Sequence, residues 1–114
     1  MLLTAGSIDI QKLIAGDAAG KKFAKIVVGT SDTPVTVADS ALANAFSKPI
    51  ESVNYFTDGH IQFVITLQAA DPAMVIKEVG LLDDNNVLLY RKVIPAQNKV
   101  AGATYVIDYK IKVQ

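Results

Sequence analysis

The second half of the chain alternates apolar and polar residues with a period of two, which is typical of β-strands with one buried face. In the run GHIQFVITLQ, that face carries Ile61, Phe63, Ile65 and Leu67. The run KPIESVNYF precedes it, and Asp58-Gly59 between the two is a strong signal for a two-residue hairpin turn. This turn predicts that Phe56 pairs with Ile61. The final run, TYVIDYKIKV, alternates in the same way and predicts another strand.

A second hairpin is predicted from VIKEVGLL and VLLYRKVI, with Asn85-Asn86 as the turn because Asn readily enters the left-handed region. In this register Gly80 pairs with Arg91. Glu78 then lies diagonally across from Arg91 on the same face, close enough for an ion pair. Both faces of this hairpin carry apolar residues, so it is expected to be covered on both sides or to pack against a partner chain.

The N-terminal third shows helical spacing in two places. SIDIQKLIAG predicts a helix with Ser7 as a possible N-cap and Gly16 as the stop. KFAKIVVG reads as a strand, and TVADSALANAF predicts a second short helix capped by Thr36. The expected fold class is therefore α+β, in one domain over residues 1–114. It is mainly antiparallel β, with about six strands in a sandwich-like arrangement and two short helices in the N-terminal half.

Composition narrows the classes of function. The 114 residues include 11 basic and 11 acidic side chains, so no net field favours a nucleic acid or an anionic membrane as partner. The chain has no cysteine, which excludes disulfides and thiolate metal sites. The start MLLTAGSIDI does not resemble a signal peptide, and no apolar run approaches the roughly 20 residues that span a bilayer. A soluble protein is expected.

Candidate catalytic and metal-binding residues are few. Four residues with side-chain oxygens, at positions 83–86, separate two apolar runs, but no terminal carboxylate follows as a calcium loop requires, which favours a hairpin turn. His60 is the single histidine and follows a turn, and the sequence contains no G-x-S-x-G nucleophile motif. AGDAAGKKF lacks the first Gly and the hydroxyl residue of a phosphate loop. We expect no enzyme activity, no catalytic residue, no metal site and no cofactor.

The tyrosines allow two interpretations. They could form a platform for stacking sugars, or they could serve core and interface packing, for which Tyr is equally suited. Tyr105 and Tyr109 share one face of the final strand. Packing is the preferred interpretation, and a small β-rich carbohydrate-binding module for surface recognition is kept as the alternative function.

Three stretches, in order, resemble bacteriophage tail-collar and tail-fibre proteins. The segment 25–46, KIVVGTSDTPVTVADSALANAF, is similar to the family's I-x-x-G-T-G strand end followed by D-T-A-L-x-N. The segment 77–94, KEVGLLDDNNVLLYRKVI, is similar to its E-[VI]-G-L-[FL]-D…G-x-L hairpin, and LLTAGSIDIQKLIAG fits the helix that often comes first. In this chain Ser31 replaces the usual second Gly. Fibre proteins of this type also continue into a long trimeric shaft, whereas this sequence ends at Gln114.

The resemblance implies a structural part of a tail from a phage, a prophage or a phage-derived particle, assembled in the bacterial cytoplasm. A baseplate or fibre-attachment adaptor fits better than a receptor-binding tip. The implied partners are other tail, baseplate or fibre proteins, and tail symmetry favours a homo-oligomer, either a trimer or a hexamer. The predicted contact surface lies on the 77–94 hairpin and the final strand and includes Leu82, Tyr90, Arg91, Tyr105 and Tyr109.

Overall fold

The computed structural model describes residues 1–16 and 22–112, which form one helix and seven strands. In chain order these are α1 (Thr4–Ala15), β1 (Phe23–Gly29), β2 (Phe46–Pro49), β3 (Ser52–Tyr55), β4 (His60–Leu67), β5 (Met74–Asp83), β6 (Leu88–Lys99) and β7 (Tyr105–Lys112). The α+β class with mainly antiparallel strands is confirmed. The number of strands is seven instead of about six, and the described residues contain one helix instead of two.

The strands form two sheets that pack face to face. The four-stranded sheet has the order β2-β1-β5-β6 and the three-stranded sheet the order β3-β4-β7, with every pairing antiparallel. Between the sheets, β1 contacts β4 and β5 contacts β7. The apolar faces predicted for β4 and β7 meet residues of β1 and β5 there, and the most buried members are Ile26, Val28, Ile65, Leu67, Ile76 and Leu81.

The additional strand arises because the run KPIESVNYF divides between the sheets. Its first residues belong to β2 and its last to β3. At the crossing, the Ile50 amide donates to the Ala24 carbonyl of one sheet and the Glu51 amide donates to the Val64 carbonyl of the other. Two consecutive amides thus bond to different sheets, which ends one strand and begins the next.

Ser7, the predicted N-cap, lies inside helix α1, which begins three residues earlier at Thr4. Residues 1–3 first run along the edge of β6, where Leu2 bridges Tyr90, and the helix starts as soon as the chain leaves that edge. The residue at the N-cap is Leu3, which makes no side-chain cap and is instead fully buried. Gly16 ends the helix in the left-handed region at φ 73°, as predicted. In the described part of the chain, no helix is long and apolar enough to cross a membrane.

The second predicted helix was wrong, because residues 31–45 form a loop over the outer face of the four-stranded sheet, here called the 31–45 loop. Thr36 does not cap a helix. Its amide and hydroxyl both donate to the carboxylate of Asp39, and the Asp39 amide donates back to the Thr36 carbonyl, which closes a tight turn. Leu42 packs against Leu3 and Val27 and does not form the apolar face of a helix with its sequence neighbours. Asn44 has a positive φ of 48°, which further interrupts helical geometry.

The β3–β4 hairpin is shifted by one residue from the predicted register. Tyr55 pairs with Ile61 and the Phe56 amide donates to the His60 carbonyl, so residues 57–59 form a three-residue loop in which Gly59 adopts a φ of 91°. Asp58 stabilises this turn by accepting a hydrogen bond from the His60 amide. Because a shift of one residue reverses the faces of a strand, Tyr55 faces the inside of the sandwich and Phe56 the outside.

The β5–β6 hairpin keeps the predicted register in its middle, but its loop spans residues 84–86 instead of Asn85-Asn86 alone, because the Asp83 amide donates to the Val87 carbonyl. Gly80 pairs with Arg91 as expected, but a bulge after Leu81 pairs Leu82 with Leu88. The carboxylate of Asp83 accepts hydrogen bonds from two amides of the turn, those of Asn85 and Val87. Asn86 takes the left-handed position at φ 61°. The oxygen-rich cluster at 83–86 therefore forms a turn. The hairpin is covered on both faces within the chain, by the three-stranded sheet on one side and by the 31–45 loop and Leu3 on the other.

Candidate functional site

A buried ion pair lies on the outer face of the four-stranded sheet, below the 31–45 loop. Arg91 Nε donates to Glu78 Oε1 at 2.8 Å. The two residues are 3% and 1% exposed, so neither charge is solvated. The predicted diagonal contact across β5 and β6 is thus confirmed. A buried charge requires compensation from its surroundings, and here the compensation comes from the loop.

The second carboxylate oxygen of Glu78 binds the backbone of the 31–45 loop at both of its ends. Oε2 accepts from the Ser31 amide at 2.7 Å and from the Ala43 amide at 3.0 Å. Gly29 makes this approach possible, because a Cβ at that position would lie 2.6 Å from Oε2 and 2.8 Å from the Ala43 carbonyl oxygen. One carboxylate therefore fixes the entry and the exit of the loop.

The guanidinium of Arg91 binds the middle of the same loop. Its two terminal nitrogens donate to Asp39 Oδ2 and to the Thr33 carbonyl, each at 3.0 Å. Hydrogen bonds from Thr36 hold the pKa of Asp39 below its ordinary value, and the charge of Arg91 acts in the same direction. Every polar side-chain atom of Arg91 and Glu78 bonds to the loop or to the other member of the ion pair. This arrangement positions the loop.

Of the predicted contact residues, Tyr90 and Tyr109 lie side by side between the two sheets, with ring centroids 6.0 Å apart. Tyr109 is 3% exposed, and burial raises its pKa above the ordinary value. Its hydroxyl has no hydrogen-bond partner among the residues that the structure describes. Tyr105 is half-buried and its hydroxyl donates to the Asn98 carbonyl.

The other two predicted contact residues lie on the opposite face of the four-stranded sheet. Leu82 is half-buried against the cluster that contains Leu3, while Arg91 belongs to the ion pair described above. Leu82 and Arg91 thus lie on the outer face of the four-stranded sheet and Tyr90 on its inner face, whereas Tyr105 and Tyr109 belong to β7 of the other sheet. Leu82, Tyr90 and Tyr105 retain partly accessible side chains, and whether they contact a partner stays a prediction.

A cleft of about 420 Å³ opens between β6 and the outer edge of β7. We call it the basic cleft, and its lining residues are Met1, Leu2, Tyr90, Lys92, Tyr109, Lys110, Ile111 and Lys112. Lys92 Nζ lies 4.4 Å from the centre of the Tyr109 ring. The cleft combines aromatic walls with ammonium groups, a pairing that suits an anionic partner.

A larger groove of about 520 Å³ lies between α1 and the inner face of the three-stranded sheet. We call it the apolar groove, because its walls are almost entirely hydrophobic, formed by Ile10, Leu13, Phe23, Val53, Tyr55, Ile61, Phe63 and Ile111, with Lys22 at the rim. Tyr55 is 81% exposed, because the short strand β3 extends beyond the cover of the other sheet. The groove adjoins the basic cleft at Ile111.

His60 stands at the tip of the β3–β4 hairpin, as predicted. Its Nδ1 lies 2.9 Å from Asp58 Oδ2, and this hydrogen bond holds the pKa of Asp58 below its ordinary value. Both side chains are substantially exposed to solvent. The Asp58 carboxylate thus binds both the side chain and the backbone amide of His60, and both contacts stabilise the hairpin tip.

The sequence interpretation missed two features of these sites. It placed Asp39 in a helix, so the contact of Asp39 with Arg91 was not foreseen, and it gave no role to Lys92. The signal that was available for Asp39 is its spacing from Thr36, which is typical of a capped turn as well as of a helix start. Comparisons of the chain with protein-family models, with curated proteins and with solved structures found no match.

Proposed function

We propose that the chain is a structural component of a phage or phage-derived tail, a baseplate or fibre-attachment adaptor that acts through protein–protein assembly. It belongs in the virion tail and is assembled in the cytoplasm of the bacterial host. Its partners are other tail, baseplate or fibre proteins, and it forms a homo-oligomer, either a trimer or a hexamer. It carries out no catalysis.

The observation that carries the proposal is the meeting of the three tail-like stretches around one ion pair. Glu78, from the hairpin motif, binds the amides of Ser31 and Ala43 in the loop motif. Asp39, which opens the D-x-A-L-x-N motif, binds Arg91. Leu3, just before the helix, packs with Leu42 of the same motif. The residues that define the resemblance therefore have connected physical roles.

The departure at Ser31 is compatible with this arrangement. Glu78 accepts a hydrogen bond from the backbone amide of Ser31, a donor that glycine and every other residue except proline also supplies. Its hydroxyl hydrogen-bonds with Thr33 within the loop, so the side chain adds a local contact. A polar network that fixes one loop against a sheet suits an assembly role.

The test is to locate the chain in particles. Antibodies raised against the recombinant chain are used for immunogold electron microscopy of tailed particles released by the bacterium that encodes it. The proposal predicts gold at one end of the tail in the wild type, and no gold in a deletion strain. Intact tailed particles without label, or labelled material that contains no particle, would reject it.

A second candidate function, a small carbohydrate-binding module, is favoured by one observation. Tyr55 is 81% exposed beside the apolar groove, which is the position of a side chain that stacks on a sugar ring. Sugars also require hydrogen-bonding groups around the ring, and Lys22 is the single charged residue on the groove wall among the residues described. The wall thus matches an apolar surface better than a sugar.

Calorimetric titration with bacterial surface polysaccharides separates the two candidates. Sugar binding predicts heat that disappears in Tyr55→Ala and persists in Tyr105→Phe, which keeps the ring. Absence of heat for the wild type would remove the carbohydrate candidate and leave the assembly role.

A further inference from the structure

The edge of β7 is open next to strand β6. In the described part of the chain β7 pairs with β4 alone and ends the three-stranded sheet. β5 lies over β7, and its neighbour β6 meets the edge of β7 through Tyr90 and Lys92, which both contact Tyr109. The space between them is the basic cleft, of about 420 Å³. An edge strand with unpaired backbone groups is a template for one further strand.

The charges around this edge have one sign. Lys92 on β6 and Lys112 on β7 line the cleft, and none of its described lining residues is acidic. Lys110 also lines it, and its Nζ lies 5.3 Å from the centre of the Phe56 ring. Asp108, on the same strand, accepts a hydrogen bond from Gln62 of β4, on the side away from the open edge.

We propose that the basic cleft receives an extended, acidic segment of another protein, which pairs with the open edge of β7 and places carboxylates near Lys92 and Lys112. Main-chain hydrogen bonds to an edge supply affinity in this mode of recognition, and side-chain pockets supply selectivity. Tyr90, which is partly exposed and lines the cleft, offers an aromatic surface against which a side chain of the segment packs. This inference rests on the proposed assembly role, which supplies the protein partner, and it adds the chemistry of the segment that binds.

An isolated segment fits this place better than a folded second copy. If a second copy added its own β7, its β5 would lie over that strand, where β6 of the first copy already is. A single extended segment has no covering sheet and avoids this collision. Its carboxylates also meet the lysines at a partly solvated rim, where an ion pair does not require full desolvation.

The experiment uses a fluorescein-labelled peptide of repeating Val-Val-Glu-Glu, about as long as the eight residues of β7. This repeat places a carboxylate and an apolar group on each face of a strand. A Val-Pro-Glu-Glu peptide of equal charge is the control, because proline removes amide donors and resists strand pairing. Fluorescence anisotropy measures binding to the wild type, to Lys92→Gln/Lys112→Gln, and to the matched variant Lys12→Gln/Lys77→Gln.

The proposal predicts that Val-Val-Glu-Glu binds the wild type and the matched variant equally. Binding to Lys92→Gln/Lys112→Gln is weaker by about tenfold, the effect of losing two partly exposed ion pairs. The proline peptide binds more weakly than Val-Val-Glu-Glu, and hydrogen exchange slows at amides of β7 when the latter is bound. No binding, equal affinity for the two peptides, equal loss in both variants, or protection elsewhere would overturn it.

The two proposals fail in different ways. Gold-labelled tails together with no peptide binding would reject the occupant of the cleft and keep the tail role. Peptide binding at β7 together with unlabelled tails would reject the tail role and keep the edge as a binding site.

Discussion

Arg91 and Glu78 form a buried ion pair, with 2.8 Å between Nε and Oε1, that connects the β5–β6 hairpin to a loop more than thirty residues away in sequence. Glu78 has three donors, namely the guanidinium and two loop amides. Arg91 has three acceptors, two carboxylates and a carbonyl. The pair is thus completed by the loop, and the loop is held in place by the pair.

Glu78→Ala is expected to lower the free energy of unfolding by about 3–5 kcal/mol, because it leaves a buried guanidinium without its main partner. Asp39→Ala should cost much less, since Asp39 is more exposed and Arg91 keeps Glu78. Urea unfolding followed by circular dichroism gives both values. Equal losses for the two variants would show that Glu78 is not the main partner of Arg91.

Gly29→Ala tests the close approach of the 31–45 loop to the sheet. The added Cβ would meet Glu78 Oε2 and the Ala43 carbonyl at distances well below contact, so the loop must move. We expect a loss of about 2–3 kcal/mol from overpacking and lost hydrogen bonds. Gly16→Ala is the contrast, because that site has open space and a positive φ, and it should cost about 1 kcal/mol. Thermal unfolding of both variants measures the difference, and a smaller effect at Gly29 would exclude the clash.

Tyr109→Phe removes a buried hydroxyl that has no hydrogen-bond partner among the described residues, and should stabilise the fold by about 1 kcal/mol at neutral pH. Burial raises the pKa of Tyr109 in the folded state, so above about pH 10 the unfolded chain loses this proton first. Tyr109 therefore causes no pH-dependent change below about pH 10, and the free energy of unfolding falls as the pH rises above it.

Tyr109→Phe should accordingly flatten the alkaline loss of stability measured by urea unfolding from pH 8 to 11, while Tyr55→Phe, at an exposed position, should leave it unchanged. A wild-type slope in Tyr109→Phe would show that Tyr109 does not cause the alkaline loss.

Asp71 is expected to contribute to acid unfolding. Lys48 Nζ and the Gln68 amide both donate to its Oδ2, and these bonds lower its pKa, with a further effect of Lys99. Its contribution to stability is therefore present above the ordinary Asp pKa of about 3.9 and disappears as the pH falls through the lower folded value. Asp71→Asn should make stability depend less on pH below about 4, as urea midpoints would show. An unchanged slope would assign the acid loss to other carboxylates.

The hairpins were predictable because their turns use residues that tolerate a positive φ. Asn86 and Gly59 occupy such positions, and the Gly80–Arg91 pairing and the Glu78–Arg91 contact followed from that register. The register of β3 was wrong by one residue, since Asp58-Gly59 is compatible with a loop of two or of three residues. That shift decides which aromatic residue, Tyr55 or Phe56, faces the sandwich.

The false helix has a different cause. The spacing of Ala38, Leu42 and Ala45 satisfies a helical pattern, and no local feature of the sequence excludes it. In the folded chain the Ser31 and Ala43 amides both donate to the carboxylate of Glu78. The loop brings both amides to this carboxylate, and a helix over 36–46 could not. This tertiary contact overrides the local preference. Sites made from distant segments, such as the basic cleft, are likewise invisible until the sheet order is known.

The central claim, that the chain is an assembled part of a tail, is tested most directly by counting its copies in purified tailed particles. Mass spectrometry with isotope-labelled reference peptides gives the number of chains relative to a major tail protein. The account predicts a fixed copy number per particle that is a multiple of three. Particles that are complete and infectious without the chain, or that contain it in variable traces, would contradict the account.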